Sequence, residues 1–259
     1  MTEFSRAEVC AVAVADAFKD DGEIFASPMG TMPMIGVRLA KLTSNPDLVI
    51  SDGESLFLGG TPPIFAKADV VEGWIPFRRV FDVVAYGKRH VMMGATQVDK
   101  HGNQNISAIG DFARPKRQLL GSRGAPGNTV NNRTSYWVPK HNPRVFVENV
   151  DIVSGVGPAR AKAAGPGASK YNDIHRIVTN LGVFDVKGAG DTVRLLSLHP
   201  GVTLDEVVEA TGFALSLPDG EVPVTREPTE SELMIIRNVL DPRNFRDREV
   251  PPVDAGATK

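Results

Sequence analysis

The apolar positions of the chain switch between helical and strand spacing, and their order predicts an α/β fold. A capping-box spacing from Ser5 to Glu8 opens a first predicted helix, whose apolar face runs to Phe18. A short strand over residues 23–27 then leads into a second helix, and residues 48–50 form the next strand. This β-α-β order implies parallel pairing of the two strands through a right-handed crossover.

The rest of the chain continues this alternation. A glycine-, alanine- and proline-rich stretch over residues 155–169 predicts an irregular connection, and the polar residues 246–259 predict a loose tail. Residues 1–245 are therefore expected to form a single domain. Further helices are predicted over residues 78–86, 202–210 and 228–240, and further strands over residues 90–93, 136–138, 144–147, 174–178, 183–186 and 192–197.

The most suggestive stretch follows the buried strand at residues 48–50. Ser51, Asp52, Gly53 and Glu54 come directly after that strand, where ligands bind in open α/β sheets. Asp52 or Glu54 could act there as a nucleophile or as a proton carrier. The alternative interpretation is a plain Asp-Gly turn with two solvated acids.

Two later segments add candidate binding groups. Gly94 and Gln97 follow the strand at residues 90–93 in the same manner, although Gln97 could instead tie down its own loop by hydrogen bonds. A glycine-rich segment over residues 121–128 contains Arg123 and could hold a phosphate or an oxyanion. It matches neither the P-loop nor the dinucleotide fingerprint, so a flexible surface loop is the alternative.

Composition narrows the class of protein. The 259 residues carry a net charge of −2, which gives no general attraction to nucleic acid or to a membrane surface. The single cysteine, Cys10, permits no intramolecular disulfide and is expected to pack in the core of a cytoplasmic protein. The sequence shows no metal-type Cys/His spacing, so no metal site is predicted. Trp74 and Trp137 are expected in the core or at a subunit interface.

Taken together, several of these segments resemble the β subunit of family I coenzyme A transferases, over residues 42–212. The matching motifs are the strand before Ser51, the Gly-Ala-Thr-Gln-Val run that begins at Gly94, the basic glycine-rich segment at residues 116–128, and the ending at residues 201–212. The resemblance implies an open, mostly parallel sheet with helices on both faces. It also implies an α subunit of similar fold, an α2β2 assembly, and an acyl-CoA substrate without a separate cofactor.

One departure from the family pattern concerns the catalytic residue. Asp52 stands where the family has the glutamate that attacks the thioester, and Glu54 stands where glycine is expected. The chain is similar in this to a divergent branch that hydrolyses a ring carbon–carbon bond of a steroid-derived keto acyl-CoA in actinobacterial cholesterol catabolism. For that branch we expect the main catalytic carboxylate on the α subunit.

The resemblance assigns the candidate site residues. Asp52 and Glu54 are the catalytic candidates of this chain. A true transferase acting on a 3-oxo acid, and a catalytically silent scaffold subunit, are the alternative functions. The candidate substrate-binding residues are Ser51, Gly53, Gly94, Gln97, Gly121, Arg123, Gly124 and Asn128.

Overall fold

The computed structural model describes residues 3–52 and 55–252, so two of the candidate residues, Gly53 and Glu54, lie outside the described residues. The strands are β1 (Phe25–Pro28), β2 (Val49–Ile50), β3 (Leu56–Leu58), β4 (Val71–Trp74), β5 (Arg89–Gly94), β6 (Gln97–Asp99), β7 (Gln104–Asn105), β8 (Ala108–Ile109), β9 (Arg117–Gln118), β10 (Arg133–Val138), β11 (Phe146–Val147), β12 (Asp173–Thr179), β13 (Gly182–Asp185) and β14 (Arg194–Leu198).

Helices alternate with these strands, as the apolar spacing predicts. The predicted capping box at Ser5 is confirmed, a second one is present at Thr229, and Cys10 is buried as expected. The helices are α1 (Arg6–Asp16), α2 (Thr31–Leu42), α3 (Phe77–Tyr86), α4 (Ala125–Asn131), α5 (Pro158–Ala163), α6 (Pro166–Ser169), α7 (Leu204–Glu209), α8 (Glu230–Met234), a π-helix (Ile235–Leu240) and α9 (Arg246–Glu249).

The central sheet confirms the predicted class of fold. Its seven strands lie in the order β14-β13-β12-β10-β5-β1-β2. The five strands from β12 to β2 are parallel, and β13 pairs antiparallel with both of its neighbours. The chain leaves β1 toward β2 on one side and later adds β5 on the other side. The strand order therefore reverses between β1 and β5, which makes this point a topological switch where α/β folds bind ligands.

Both faces of the sheet are covered, because successive side chains of each strand enter different apolar clusters. Met92 packs with α1 and α2 on one face, whereas Val91 and Met93 pack with Ala125 of α4 on the other. In β10, Trp137 likewise packs in the cluster of α1 and α2, and Tyr136 packs in the cluster of α4. A strand buried on both faces explains the continuous apolar runs that the sequence shows at these strands.

Two predicted irregular segments contain three helices in the structure. Helix α4 begins inside the predicted glycine-rich loop, and α5 and α6 lie in the predicted irregular connection. All three helices have proline in the first turn, where its missing N–H costs no hydrogen bond, so proline here starts a helix instead of breaking one.

The predicted loose tail is wrong for residues 246–250. These residues form α9 and its C-cap, and Arg246 is buried. The guanidinium of Arg246 donates to Asp241 at 3.0 Å and contacts Glu8 of α1 at 3.3 Å, which anchors the segment. Residues 253–259 lie outside the described residues. Over the described ranges, no helix has both the length and the apolar character needed to cross a membrane.

Candidate functional site

A cavity of about 470 Å³ lies at the carboxyl ends of β1, β5 and β10, on the topological switch point. We call it the carboxyl-edge cavity. Its walls are largely apolar, and polar groups enter from α4 and α9, as is typical of small-molecule sites. The lining side chains and backbone come from Met29, Gly30, Met93, Gly94, Ala95, Thr96, Ile106, Leu120, Arg123, Gly124, Ala125, Asn128, Trp137, Pro139 and Glu249.

Four of the predicted site residues meet in this cavity: Gly94, Arg123, Gly124 and Asn128. Gly94 ends β5, and Gly124 is the N-cap of α4. The loop before α4 bends sharply, with φ of +50° at Arg123, a conformation that a non-glycine residue adopts only where its surroundings hold it. Arg123 is exposed and is one of the residues that line the cavity. A guanidinium in that position can bind an anion.

Ser51 and Asp52 lie at the end of the neighbouring edge strand and are not among the described residues that line the cavity. Ser51 is buried. The Asp52 carboxylate is exposed and accepts hydrogen bonds from the N–H groups of Ser55 at 2.9 Å and Leu56 at 3.1 Å. These contacts are those of a turn-forming aspartate.

Gln97 and Gly121 also lie outside the lining of the cavity. The Gln97 amide oxygen accepts from Asn105 at 2.7 Å and from the N–H of Asp151 at 3.1 Å, and its NH₂ group donates to the Asp151 carboxylate. Its polar atoms are thus used to hold the loops together, which agrees with the alternative prediction for this residue. Gly121 has a φ of +82° and shapes the bend ahead of Arg123.

Sequence reasoning missed Glu249, which brings a carboxylate to the cavity from α9. Helix α2 begins at Gly30, which has no side chain to cap the helix. Glu249 accepts from the first-turn N–H groups of Thr31 at 3.3 Å and Met32 at 3.2 Å, and from the indole N–H of Trp137 at 2.8 Å. No local signal marks this residue, because its partners lie more than a hundred positions away along the chain.

A second residue outside the sequence prediction, Arg89, holds Asn128, which lines the cavity. Arg89 is 4% exposed, and its side chain packs against α4. It donates to Asn128 Oδ1 at 2.6 Å and to Ser27 Oγ at 2.8 Å. Burial lowers the pKa of Arg89 to about 10, so the guanidinium stays charged at neutral pH.

The amino ends of the same strands carry a different cluster of polar groups beside a larger cavity of about 680 Å³. His90 Nδ1 lies 2.6 Å from Asp21, and its Nε2 lies 2.8 Å from Ser135 Oγ. Arg133 binds the other Asp21 oxygen at 2.6 Å. Burial by itself raises the pKa of Asp21, but the hydrogen bonds from His90 and Arg133 outweigh it and lower that pKa below its ordinary value.

This Asp-His-Ser arrangement resembles a nucleophilic triad, yet it has the properties of a structural network. His90 and Ser135 are fully buried and are not among the described residues that line either cavity, so no substrate carbonyl reaches the hydroxyl. Burial lowers the pKa of His90, which keeps the ring neutral within the network. Among the described residues, no group of three or more His, Cys, Asp or Glu side chains is arranged to hold a metal ion.

Comparison with known proteins places the chain in a family. The coenzyme A transferase family model matches residues 81–210. The chain is 59% identical to the cholesterol ring-cleaving hydrolase IpdB subunit of Rhodococcus jostii strain RHA1, over 96% of this chain and 98% of that protein. It is 31% identical to a subunit of the 3-oxoadipate CoA-transferase of Pseudomonas knackmussii, over 92% of this chain and 94% of that protein.

A solved structure agrees with these sequence comparisons. The crystal structure of Rhodococcus jostii RHA1 IpdAB contains a chain that is 58% identical to this one, with a TM-score of 0.91 and coverage of 96% of this chain and 99% of that one. The predicted resemblance is therefore confirmed: the chain belongs to the coenzyme A transferase family, as a homologue of the cholesterol ring-cleaving hydrolase IpdB subunits.

Proposed function

We propose that this chain is the β subunit of a two-subunit hydrolase that opens a ring of a steroid-derived keto acyl-CoA in cholesterol catabolism. The observation that carries the proposal is the near full-length identity to an IpdB subunit, which is much higher than the identity to a transferase subunit. The apolar carboxyl-edge cavity supports it, because a partly degraded steroid ring is a bulky apolar group.

The proposed reaction is a retro-Claisen-type hydrolysis. Water that has lost a proton to a carboxylate base attacks the ring ketone carbon. The bond from that carbon to the carbon next to the thioester then breaks, and its electron pair forms the thioester enolate, which takes up a proton at carbon. The net change is the addition of one water, which yields a new carboxylate and leaves the thioester intact. Oxyanion donors and exclusion of water stabilise both negatively charged species, the adduct of water with the ketone and the thioester enolate.

Within this scheme the present chain supplies walls, an oxyanion donor and an anion-binding group. Met93 and Trp137 contribute apolar wall, and the Asn128 amide is the proposed oxyanion donor. Arg123 at the mouth binds either a phosphate of CoA or a carboxylate of the substrate. The principal base belongs to the partner subunit. Asp52 takes no direct part in this proposal, because its carboxylate stabilises a turn.

The reaction as proposed needs no cofactor other than the coenzyme A of the substrate. A cytoplasmic location remains a prediction, and it is supported by the free thiol of the buried Cys10.

The test uses the chain co-expressed with its α subunit, a cyclic keto acyl-CoA, and ¹⁸O-labelled water, with no acceptor acid present. We expect the mass of the intact thioester to rise by one water, with ¹⁸O in a new carboxylate. If instead nothing reacts until a free carboxylic acid is added, and CoA then appears on that acid, the protein is a transferase and the proposal is wrong.

The surface that the partner subunit would cover is marked by exposed apolar side chains. Of the 17 large hydrophobic residues that are exposed in the described part of the chain, seven lie within residues 65–86, on β4, α3 and their flanking loops. Such a concentration is unusual on a free surface and indicates a protein interface. We call it the 65–86 surface, and its exposed members are Phe65, Val70, Val71, Trp74, Phe77, Phe81 and Tyr86.

Replacement of Trp74, which is 66% exposed, tests this surface. We expect Trp74→Ser to weaken co-purification with the α subunit at least tenfold while the secondary structure is retained, because large aromatic side chains dominate interface energies. Tyr171→Ser removes a comparably exposed aromatic ring outside the surface and should leave assembly unchanged. Equal assembly of both variants would show that the partner binds elsewhere.

A further inference from the structure

The guanidinium of Arg89 is a buried cation without a buried anion. Among residues 3–52 and 55–252, no carboxylate lies within 4.0 Å of it, although a buried arginine is ordinarily paired with one. Its neighbours are the Asn128 amide oxygen, the Ser27 hydroxyl and the ring of Phe25, whose centre lies 5.9 Å away. Within the same ranges, Nε has no hydrogen-bond partner. Such a costly arrangement calls for a role beyond packing.

The arginine fixes which way the Asn128 amide points. A guanidinium only donates hydrogen bonds, so the Asn128 atom 2.6 Å from Nη1 must be the oxygen. The NH₂ group of the same amide is thereby directed away from Arg89. Helix α4 holds the backbone of Asn128, and the side chain is 1% exposed, so the amide has little freedom to turn.

Asn128 lines the carboxyl-edge cavity, and its NH₂ group has donor capacity to spare. Its one acceptor among the described residues is Met93 Sδ at 3.3 Å, and a thioether is a weak acceptor. Gly124 has no side chain next to this NH₂ group. A Cβ at that position would lie 3.4 Å from Asn128 Nδ2 and would occupy the space beside it. Met93 and Gly124 both line the cavity. A charged donor on the oxygen side polarises the amide and strengthens its N–H groups as donors.

We propose that Arg89 is a positioning residue for the hydrolysis, which orients and polarises the Asn128 amide so that its NH₂ group stabilises negative charge developing on the substrate oxygen. This inference rests on the proposed function, in that the substrate ketone or thioester oxygen is placed in the carboxyl-edge cavity. The positive charge of Arg89 then acts on the oxyanion through one hydrogen-bonded amide, without direct contact with the substrate.

The test measures kcat and KM of the assembled complex on the cyclic keto acyl-CoA for Arg89→Met, Arg89→Lys, Asn128→Ala and the double variant Arg89→Met/Asn128→Ala. We expect Asn128→Ala to lower kcat about a hundredfold, the loss typical of an oxyanion donor. Arg89→Met should lower kcat at least tenfold with little change in KM, and Arg89→Lys should recover part of that loss because it keeps the charge. In the Asn128→Ala background, Arg89→Met should cause no further loss.

That last result distinguishes a positioning role from a structural one. If Arg89 merely supports the fold, its loss should lower activity by the same factor in both backgrounds, and the proposal is then wrong. Asn128→Asp gives a second measurement that does not depend on damage to the fold. It pairs Arg89 with a carboxylate and should keep or raise the thermal unfolding midpoint, yet it removes the donor and should lower kcat at least a hundredfold.

Arg160→Met, an exposed arginine on α5, is the matched control and should leave kcat unchanged. Failure of the proposed function would appear separately, as a wild-type complex that transfers CoA instead of adding water. A wild-type complex that hydrolyses the substrate, together with an Arg89→Met complex of normal kcat, would overturn this inference alone.

Discussion

Arg89 and His90 are neighbours in β5, but they point to opposite faces of the sheet and meet different surroundings. His90 lies between Asp21 and Ser135 and stacks on Phe18, with ring centres 4.0 Å apart. Arg89 meets neutral acceptors only, the closest of them on Asn128. One face therefore holds a fully paired network, and the other holds a charge that lacks a described counter-ion.

The difference shows how to tell a structural cluster from a functional one. The His90 network has the residue types of a hydrolase triad and borders the larger cavity, but its polar atoms satisfy one another and are closed to solvent. The Arg89 side has fewer suggestive residues, but the NH₂ group of the amide that Arg89 orients remains available to a ligand. Incomplete pairing next to a cavity is the better indication of a site, because a buried charge without a counter-ion costs stability and such costs concentrate at functional sites.

The largest contrast is expected in activity. Asn128→Ala should lower kcat of the complex by a hundredfold or more, whereas Ser135→Ala should leave kcat within about twofold of the wild type and reduce stability by about 1 kcal/mol through one lost hydrogen bond. Steady-state kinetics and urea unfolding measure the two quantities. Loss of activity in Ser135→Ala with an intact complex would make the His90 network the catalytic site.

The second contrast is in stability, and here the larger effect is expected in the His90 network. Asp21→Asn leaves His90 and Arg133 without their shared anion and should cost about 3 kcal/mol of the free energy of unfolding. Arg89→Met should change it by no more than about 1 kcal/mol, because the relief of an unpaired charge offsets the lost hydrogen bonds. Urea unfolding of the assembled complex checks both. A similar large loss in the two variants would mean that Arg89 is part of the structural framework.

The third contrast is in the response to acid. Burial lowers the pKa of His90, although its hydrogen bond to Asp21 opposes this, and burial lowers the pKa of His141 to about 3 and of His199 to about 4. The unfolded chain binds protons at these histidines below a pH of about 6.5, whereas the native state does not. The contribution of these neutral histidines to the free energy of unfolding is therefore fully present above a pH of about 6.5, and it falls as the pH decreases.

At pH 5 the free energy of unfolding should be lower than at pH 7 by about 2 kcal/mol for each of His141 and His199. Unfolding midpoints measured at pH 7 and pH 5 give the size of the effect. His90→Gln should make the acid-side loss smaller, and Arg89→Met should not change it, because Arg89 does not titrate in this range. An unchanged acid response in His90→Gln would contradict a neutral buried His90.

The smallest expected effect concerns the space between Gly124 and the NH₂ group of Asn128. Gly124→Ala places a methyl group against the Asn128 NH₂ group and should lower kcat a few-fold with little change in stability, because the backbone there has an ordinary negative φ. Gly167→Ala is the matched control, since a methyl group there meets open space. Equal kinetics for both variants would show that the substrate oxygen does not approach Asn128 from the Gly124 side.

Much of the fold was accessible from the sequence. Helices with a capping box, such as α1, and buried strands such as β5 were predicted close to their observed bounds, because backbone hydrogen bonding imposes its period on the apolar residues. Helices α4, α5 and α6 were missed, since glycine and proline that precede a helix look locally like those of a loop.

The candidate site was predicted in part. Gly94, Arg123, Gly124 and Asn128 were found because strand ends and glycine-rich loops leave a local signature, and they do meet in one cavity. Asp52 and Gln97 carry similar signatures but use their polar atoms to hold loops in place. Whether a polar side chain faces a ligand or its own backbone depends on neighbours that the local sequence does not specify.

The class of fold and the order of helices and strands follow from residue spacing along the chain, and the family follows from the motifs that the chain shares with it. The cap that Glu249 provides to α2 from 218 positions away, and the direction that Arg89 gives to the amide of Asn128, 39 positions later, follow only from the packing of the folded chain. Both contacts require two distant segments to pack together. The energy of a buried charge or an open helix end is set by what surrounds it in space, and no local pattern records those surroundings.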